Sequence, residues 1–267
     1  MSPKEFIKKQ NILFNMQPLS KYAKKNHNHA SKPLVTIITV VFNGEDFLEK
    51  TIRSIISHSI KNNLEYIVID GGSSDNTLNI IKKYEQSIDY WISEKDNGIY
   101  DAMNKGIDLA NGDWVNFMNA GDELLNIPNL NCSQDIAFVY GRVSINKGRV
   151  LKVRKKICFK DFASGMVVSH QSCFYRTQAI KLLKYDLKFP RCAEQLLTAF
   201  LLKDHKALYS DKVVAYYDTD GASSKNHLNL LKEKLLLNHK LGLPIYMPFL
   251  SYLKTRIINI RDFIYGR

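Results

Sequence analysis

The chain has 267 residues, 45% of them hydrophobic, and a formal net charge of +12. That length buries a full core and fits one large domain or one and a half. The pattern excludes several classes: no run of 18 apolar residues reads as a membrane-spanning helix, and the polar N-terminus lacks the apolar stretch of a secretory signal.

Four widely spaced cysteines (Cys132, Cys158, Cys173, Cys192) contain no CxxC pair, so buried thiols are expected rather than disulfides or a structural zinc site. The charge is unevenly placed. Residues 1–33 carry seven lysines against Glu5, and residues 225–267 carry eight Lys/Arg against Glu233 and Asp262. The span 34–224 therefore sums to zero. Within it, residues 45–135 hold 16 acids and 7 bases, whereas residues 147–160 hold seven bases and no acid. A neutral core with basic ends does not match a nucleic-acid binder, which spreads positive charge over its folded face. The acidic first half is poorly suited to attract a nucleotide diphosphate unaided, which points to a bridging cation.

Taken in chain order, residues 1–33 read as a basic N-terminal extension bounded by Pro33. Leu34 to Phe42 is a continuous β-branched run, the pattern of a buried parallel strand. Glu45 to Ser59 has helical spacing of Phe47, Leu48, Ile52, Ile55 and Ile56. Leu64 to Ile69 reads as a second buried strand, Asp75 to Tyr84 as a helix and Tyr90 to Ser93 as a short strand. Ile99 to Ala110 reads as a helix, closed by a small-residue turn, and Trp114 to Met118 as a strand. This alternation predicts right-handed βαβ units and a mostly parallel central sheet flanked by helices. Past Glu123 the alternation loosens. Strands are expected over 136–145, 149–159, 166–175 and 207–217, with helices over 178–183 and 194–203. From His227 the pattern is helical again, ending in an apolar stripe of Leu253, Ile257, Ile260 and Ile264 beside Lys254, Arg256 and Arg261. The resulting division is an extension (1–33), a catalytic domain (34–224, with halves 34–123 and 124–224) and a basic C-terminal helical segment (225–267).

Four blocks carry candidate chemistry, all at the ends of expected strands or the starts of helices, where α/β folds bind ligands. The first is Phe42-Asn43-Gly44-Glu45, in which Asn43 and Glu45 could also cap the following helix. The second is Asp70-Gly71-Gly72-Ser73-Ser74-Asp75, whose glycines permit a tight turn and close approach to a ligand. It lacks the spacing of a dinucleotide fingerprint. The third runs from Glu94 to Gly106 and holds Asp96, Gly98, and an i,i+4 pair of Asp101 and Lys105 beside Asn104. The fourth is Asn119-Ala120-Gly121-Asp122, where an acid at a strand end can hold a divalent cation.

These blocks, from PLVTIITVVFNGEDFLEKTIRSI (33–55) through YIVIDGGSSDNT (66–77) to EKDNGIYDAMNKGIDLANGDWVNFMNAGD (94–122), resemble family-2 glycosyltransferases. These are inverting enzymes of the GT-A fold, and the likeness is to the bacterial branch that builds cell-surface polysaccharides, such as lipopolysaccharide or capsule. It covers roughly ninety residues and is weak in the second half.

The resemblance implies a nucleoside-diphosphate sugar donor and a glycan or lipid-linked acceptor. It places Phe42, Asn43 and Glu45 along the nucleotide pocket and Asp70 on the nucleobase. Asp96, Asn104 and Lys105 fall near ribose or phosphate. The family commonly carries several acids at the fourth block; here Asn119 and Gly121 replace the others, leaving Asp122 as the ligand to Mg²⁺ or Mn²⁺, with Asn119, Ala120 and Gly121 beside the donor. His170 and Gln171 match a pair that faces the acceptor or the sugar phosphate. Glu194, in Cys192-Ala193-Glu194-Gln195-Leu196, takes the place of the catalytic base, with Leu196 where a second acid is usual. The same features leave two rivals: a nucleotidyltransferase of related fold, and a catalytically impaired binding protein peripheral to a membrane. The expected location is the cytoplasm, at the anionic inner face of the cell membrane.

Overall fold

The computed structural model describes residues 23–25, 32–145, 148–217 and 227–254. Its frame is a ten-stranded sheet. In chain order the strands are β1 (Ala23–Lys25), β2 (Val35–Val41), β3 (Leu64–Asp70), β4 (Tyr90–Ser93), β5 (Trp114–Phe117), β6 (Glu123–Leu124), β7 (Ile136–Ile145), β8 (Arg149–Val150), β9 (Cys173–Arg176) and β10 (Lys206–Tyr216). The helices are α1 (Leu48–Asn62), α2 (Thr77–Lys83), α3 (Ile99–Leu109), α4 (Thr177–Leu183), α5 (Ala193–Asp204) and α6 (His227–Leu241). A further helix occupies 247–254.

The sheet order is β1-β4-β3-β2-β5-β9-β7-β10-β6, with β8 paired to β7. Strands β4, β3, β2 and β5 are mutually parallel, as are β7 and β10. Strand β9 runs antiparallel to both β5 and β7 and welds the two parallel groups together. The α/β class and its parallel core thus agree with the expectation.

Every residue of β2 and β3 is buried. Side chains alternate between the two faces of a strand, so each face has its own core. Ile38, Val40, Ile67 and Ile69 join Tyr100, Met103 and Ile107 of α3 and Leu197, Leu201, Leu237 and Leu241 of α5 and α6. Val35, Ile37, Val41 and Val68 join Leu48, Ile52 and Ile55 of α1 and Ile80 and Ile81 of α2. Helix α3 lies so close to β2 that a Cβ at Gly106 would stand 2.6 Å from Ile38 Cγ2.

The expected elements up to Phe117 appear within a few residues, although α1 starts at Leu48 rather than Glu45. Later expectations need correction. The strand expected over 149–159 is only Arg149–Val150, followed by a 3₁₀ turn at Phe159–Ser164. That over 166–175 shortens to β9, preceded by a 3₁₀ turn at His170–Ser172. Both stretches carry apolar residues, but these fill gaps under loops instead of alternating across a ladder. Helix α6 is part of the main core: Leu237 is fully buried, and Asn238 Nδ2 donates to Ala163 O at 2.7 Å. Most of the C-terminal stripe (Ile257, Ile260, Ile264) and most of the N-terminal extension lie outside the described residues.

At the sheet end away from the loops discussed below, Glu65 is 5% exposed. It accepts hydrogen bonds from Thr36 Oγ1 (2.6 Å), Asn111 N (2.8 Å) and Asn111 Nδ2 (2.6 Å). Removing it strips the buried Thr36 hydroxyl of its acceptor, at about 1–3 kcal/mol, and takes two further hydrogen bonds from the exposed Asn111. Glu65→Ala is therefore expected to lower unfolding stability by about 2–4 kcal/mol in a urea titration; a change under about 0.5 kcal/mol would dismiss this carboxylate as a structural pin.

Candidate active site

Parallel register brings the strand ends level: Val41 pairs with Asp70, and Asp70 with Ser93. The loops that follow are joined to one another by side chains bonding to backbone. Asn43, at φ 49°, accepts from Ser74 N at 2.9 Å, and its own N–H donates to Ser73 Oγ at 2.8 Å. Glu45 Oε2 accepts from Asn76 N at 2.8 Å, while Glu45 N donates to Asp75 Oδ2 at 3.1 Å. Asn43 and Glu45 therefore do not cap α1. They fasten the first loop to the second. Phe42 stands out of this seam, 65% exposed.

Asp70 is fully buried. Its carboxylate accepts from Ser73 N (3.1 Å), from Ser73 Oγ (2.5 Å) and from Ser93 Oγ (2.5 Å). These bonds shape the glycine turn. That turn in turn seats Asp96. A Cβ at Gly71 would lie 2.5 Å from Asp96 Oδ2, so the carboxylate rests directly on the glycine backbone. Asp96 Oδ1 accepts from Gly98 N at 2.9 Å.

In the third block, Lys105 pairs more closely with Glu94 (2.7 Å) than with Asp101 (3.9 Å). Asn104 reaches across to the second half. Its Nδ2 donates to Tyr185 O at 2.9 Å and its Oδ1 accepts from Tyr185 N at 2.8 Å. Both ends of the amide are used on that distant loop.

The fourth block is built around a residue that the sequence pattern did not single out. Thr51 of α1 is fully buried. Its Oγ1 accepts from Gly121 N at 3.0 Å and donates to Asp122 O at 2.6 Å. This fixes the turn carrying Asp122, with Gly121 at φ 104° and Ala120 N donating to Val40 O at 3.3 Å. Asp122 is 4% exposed, and its Oδ2 accepts from Gln171 Nε2 at 3.1 Å. The His170–Ser172 turn is therefore brought against the fourth block. Asn116 holds it there through Nδ2 bonds to Gln171 O and Cys173 O, both 2.9 Å. Burial lowers the His170 pKa to about 4, so the ring is neutral at physiological pH. Its Nδ1 and the Oδ1 of Asn119 are buried and have no hydrogen-bond partner among the described residues. Such atoms are costly unless something satisfies them.

Glu194 lies in the first turn of α5. It accepts a hydrogen bond from the hydroxyl of Tyr100, in the first turn of α3 and two residues past Gly98. Burial raises its pKa to about 7; backbone hydrogen bonding and Lys234 oppose the rise, and Glu233 adds to it. Tyr100 was not among the residues expected at the site. Asp186, by contrast, is committed to an ion pair with Lys240 at 2.5 Å. Tyr100 and Glu194 thus meet across the two halves of the chain, and Thr51, Asp122 and Gln171 form a second cluster. Among the described residues no group of three or more His, Cys, Asp or Glu side chains could hold a metal alone.

Residues 36–126 match the family described as Glycosyl transferase family 2. An uncharacterised glycosyltransferase of Mycobacterium tuberculosis is 33% identical over 209 residues, covering 73% of this chain and 78% of the relative. Another, from Haemophilus influenzae, is 26% identical over 201 residues, covering 69% and 78%. Among solved structures, Staphylococcus aureus TarS 1–349 in complex with UDP-GlcNAc aligns with a TM-score of 0.60 at 17% identity. That alignment covers 76% of this chain and 65% of the staphylococcal one. The mannosyltransferase PcManGT from Pyrobaculum calidifontis, in complex with GDP-Man and Mn²⁺, aligns at 0.59 and 13% identity, covering 92% and 72%. The structural likenesses establish the GT-A-type fold, and the sequence matches establish that this chain belongs to the family-2 glycosyltransferases.

Proposed function

We propose that the chain moves a sugar, with inversion, from a nucleoside-diphosphate sugar to a hydroxyl of a glycan or lipid-linked acceptor in bacterial surface-polysaccharide synthesis. The observation that carries this reading is Glu194. It is a carboxyl raised to about 7, beside Tyr100 and the Asp96 loop, and a general base works best when its pKa lies near the working pH. In this reading Glu194 takes the acceptor proton. The hydroxyl oxygen bonds to the anomeric carbon from the face opposite the diphosphate, which leaves with its bonding electron pair. Tyr100 holds the carboxylate in place. Phe42, exposed at the seam of the first two loops, would offer a ring for a base to stack on, and Asp96, held against Gly71, would accept from ribose hydroxyls.

Asp122, with Asn119 Oδ1 nearby in the same turn, fits a Mg²⁺ or Mn²⁺ ion that draws most of its shell from phosphate oxygens and water. When bound, such an ion neutralises charge on the leaving diphosphate. PcManGT was solved with GDP-Man and Mn²⁺, which supports both the donor class and the cation. The acidic first loop offers no basic phosphate grip of the kind a nucleotidyltransferase needs, and the base-like Glu194 speaks against an inert binding protein.

Glu194→Gln is expected to keep donor binding and to lower transfer by at least about a hundredfold. Wild-type kcat should rise with pH through about 7, as the carboxyl ionises. A raised carboxyl pKa means the folded state holds its proton more tightly than the unfolded chain, so ionisation costs stability as pH climbs from the unfolded value to about 7. The variant should therefore gain about 1–3 kcal/mol over wild type at pH 8 and much less at pH 4. Transfer within a few-fold of wild type would place the base elsewhere.

Asp122→Ala should abolish Mn²⁺-dependent turnover. Thr51→Val, which keeps the shape but loses the hydroxyl that pins the turn, should raise the Mn²⁺ concentration needed for half-activity by about tenfold. Unchanged Mn²⁺ dependence in both would remove the cation from this turn.

No helix among the described residues is long and apolar enough to cross a membrane. The C-terminal region nonetheless exposes large apolar groups: Ile245 (55%), Tyr246 (60%), Phe249 (47%), Leu250 (51%) and Leu253 (40%). With the eight Lys/Arg of residues 225–267, this surface suits the anionic inner face of a cell membrane. Ile245→Asp with Phe249→Asp should release the protein from phosphatidylglycerol-containing vesicles in a sedimentation assay. Sedimentation equal to wild type would assign the patch another role.

A further inference from the structure

The donor half and the acceptor half carry opposite charge. Residues 45–135 sum to −9, whereas residues 136–224 hold sixteen Lys/Arg against seven Asp/Glu, or +9. On the acceptor side the positive charge leads toward Glu194. Lys152, Lys155, Lys156 and Lys160 are exposed along the segment that runs into the 3₁₀ turn Phe159–Ser164. That turn is tied to α5 by Gln195 Nε2, which donates to Phe162 O at 2.9 Å. It ends at Gly165, whose φ of +143° few side chains tolerate. The ammonium of Lys234, from α6, lies 3.3 Å from the point where a Cβ on Gly165 would be, so the bare glycine leaves room for it.

Lys234 differs from its neighbours. Arg191 pairs with Glu233 at 2.9 Å, and Lys240 with Asp186 at 2.5 Å. Lys234 makes no salt bridge or hydrogen bond among the described residues, although it is only partly exposed. Among the described residues no carboxylate lies within salt-bridge distance of its ammonium, which instead sits against the bare face of Gly165. Its charge is felt at Glu194. A cation held beside a general base, reached along a basic strip and lacking its own counter-ion, is suited to an anionic group on the molecule that the base deprotonates.

We propose that Lys234 binds a phosphoryl oxyanion carried by the acceptor, seating it over Gly165 beside Glu194; this rests on the glycosyl-transfer reading above. The acceptor class is then a phosphorylated one, either a lipid-linked phosphate or a soluble sugar phosphate. Lysine serves here as a compact point charge with three donors.

The test is a calorimetric titration of wild type, Lys234→Met and Lys234→Arg with n-octyl phosphate, glucose 1-phosphate and the neutral n-octyl glucoside. EDTA is present so that no cation at Asp122 recruits phosphate. Wild type should bind at least one phosphate probe. Lys234→Met should weaken that binding by tenfold or more, Lys234→Arg should restore most of it, and octyl glucoside should bind all three proteins alike. Preference for octyl phosphate identifies a lipid-linked acceptor, and preference for glucose 1-phosphate a soluble one. Equal phosphate affinity in wild type and Lys234→Met, or no phosphate binding by wild type at millimolar concentration, overturns the proposal. Donor turnover is read separately. A chain that binds phosphate through Lys234 yet consumes no nucleotide sugar keeps this site and loses the transfer reading.

Discussion

Parallel strands paired without a bulge keep their register to the last residue, and the level ends of β2, β3 and β4 depend on that constraint. Once β2, β3 and β4 pair as Val41 with Asp70 and Asp70 with Ser93, their outgoing chains leave the sheet side by side. The ladder stops there, so backbone N–H groups beyond it need other partners. Asn43, Glu45, Asp70 and Asp75 supply them. The acids of the first two loops are thus chiefly structural. They hold a glycine turn in the shape that lets Asp96 rest on it, and they leave Phe42 exposed at the seam.

This division explains what could be read from the sequence. Strands buried on both faces appear as unbroken β-branched runs, which is why β2 and β3 were legible nearly to the residue. The site motifs were legible as a set, because loops at strand ends keep short, polar, glycine-containing spellings. Individual roles were less so. Asp70 and Asn104 look like ligand-facing polar residues in one dimension, but their partners, Ser93 and Tyr185, are 23 and 81 residues away. Thr51 sits inside an apolar helical stripe between Leu48 and Ile52, where a threonine reads as ordinary packing. Its task appears only when the 119–122 turn is laid beside it. The second half was harder because β9 and the two 3₁₀ turns are short, and short apolar stretches do not distinguish a strand from a loop that plugs a core.

The two halves also divide the electrostatic work. The first half is acidic, and in the proposed reading a diphosphate there needs a cation, which Asp122, fixed through Thr51 and touched by Gln171, would anchor. The acceptor half is basic, and its central acid, Glu194, is kept near neutrality by burial rather than by a carboxylate neighbour alone. Tyr100 reaches across from α3 to hold this carboxyl.

The contact between Asn104 and Tyr185 has a consequence for how such enzymes can be recombined. The amide closes a two-bond bridge from α3, which belongs to the first half, onto the loop that leads into α5 of the second. Four residues earlier on the same helix, Tyr100 touches Glu194. The seam between the halves is therefore not a neutral place to cut. A chimaera that takes residues 124–224 from a relative leaves behind, on the host's helix, the Tyr100 partner of Glu194 and the Asn104 partner of the Tyr185 loop. Positions 100 and 104 must travel with the second half for these contacts to survive the exchange.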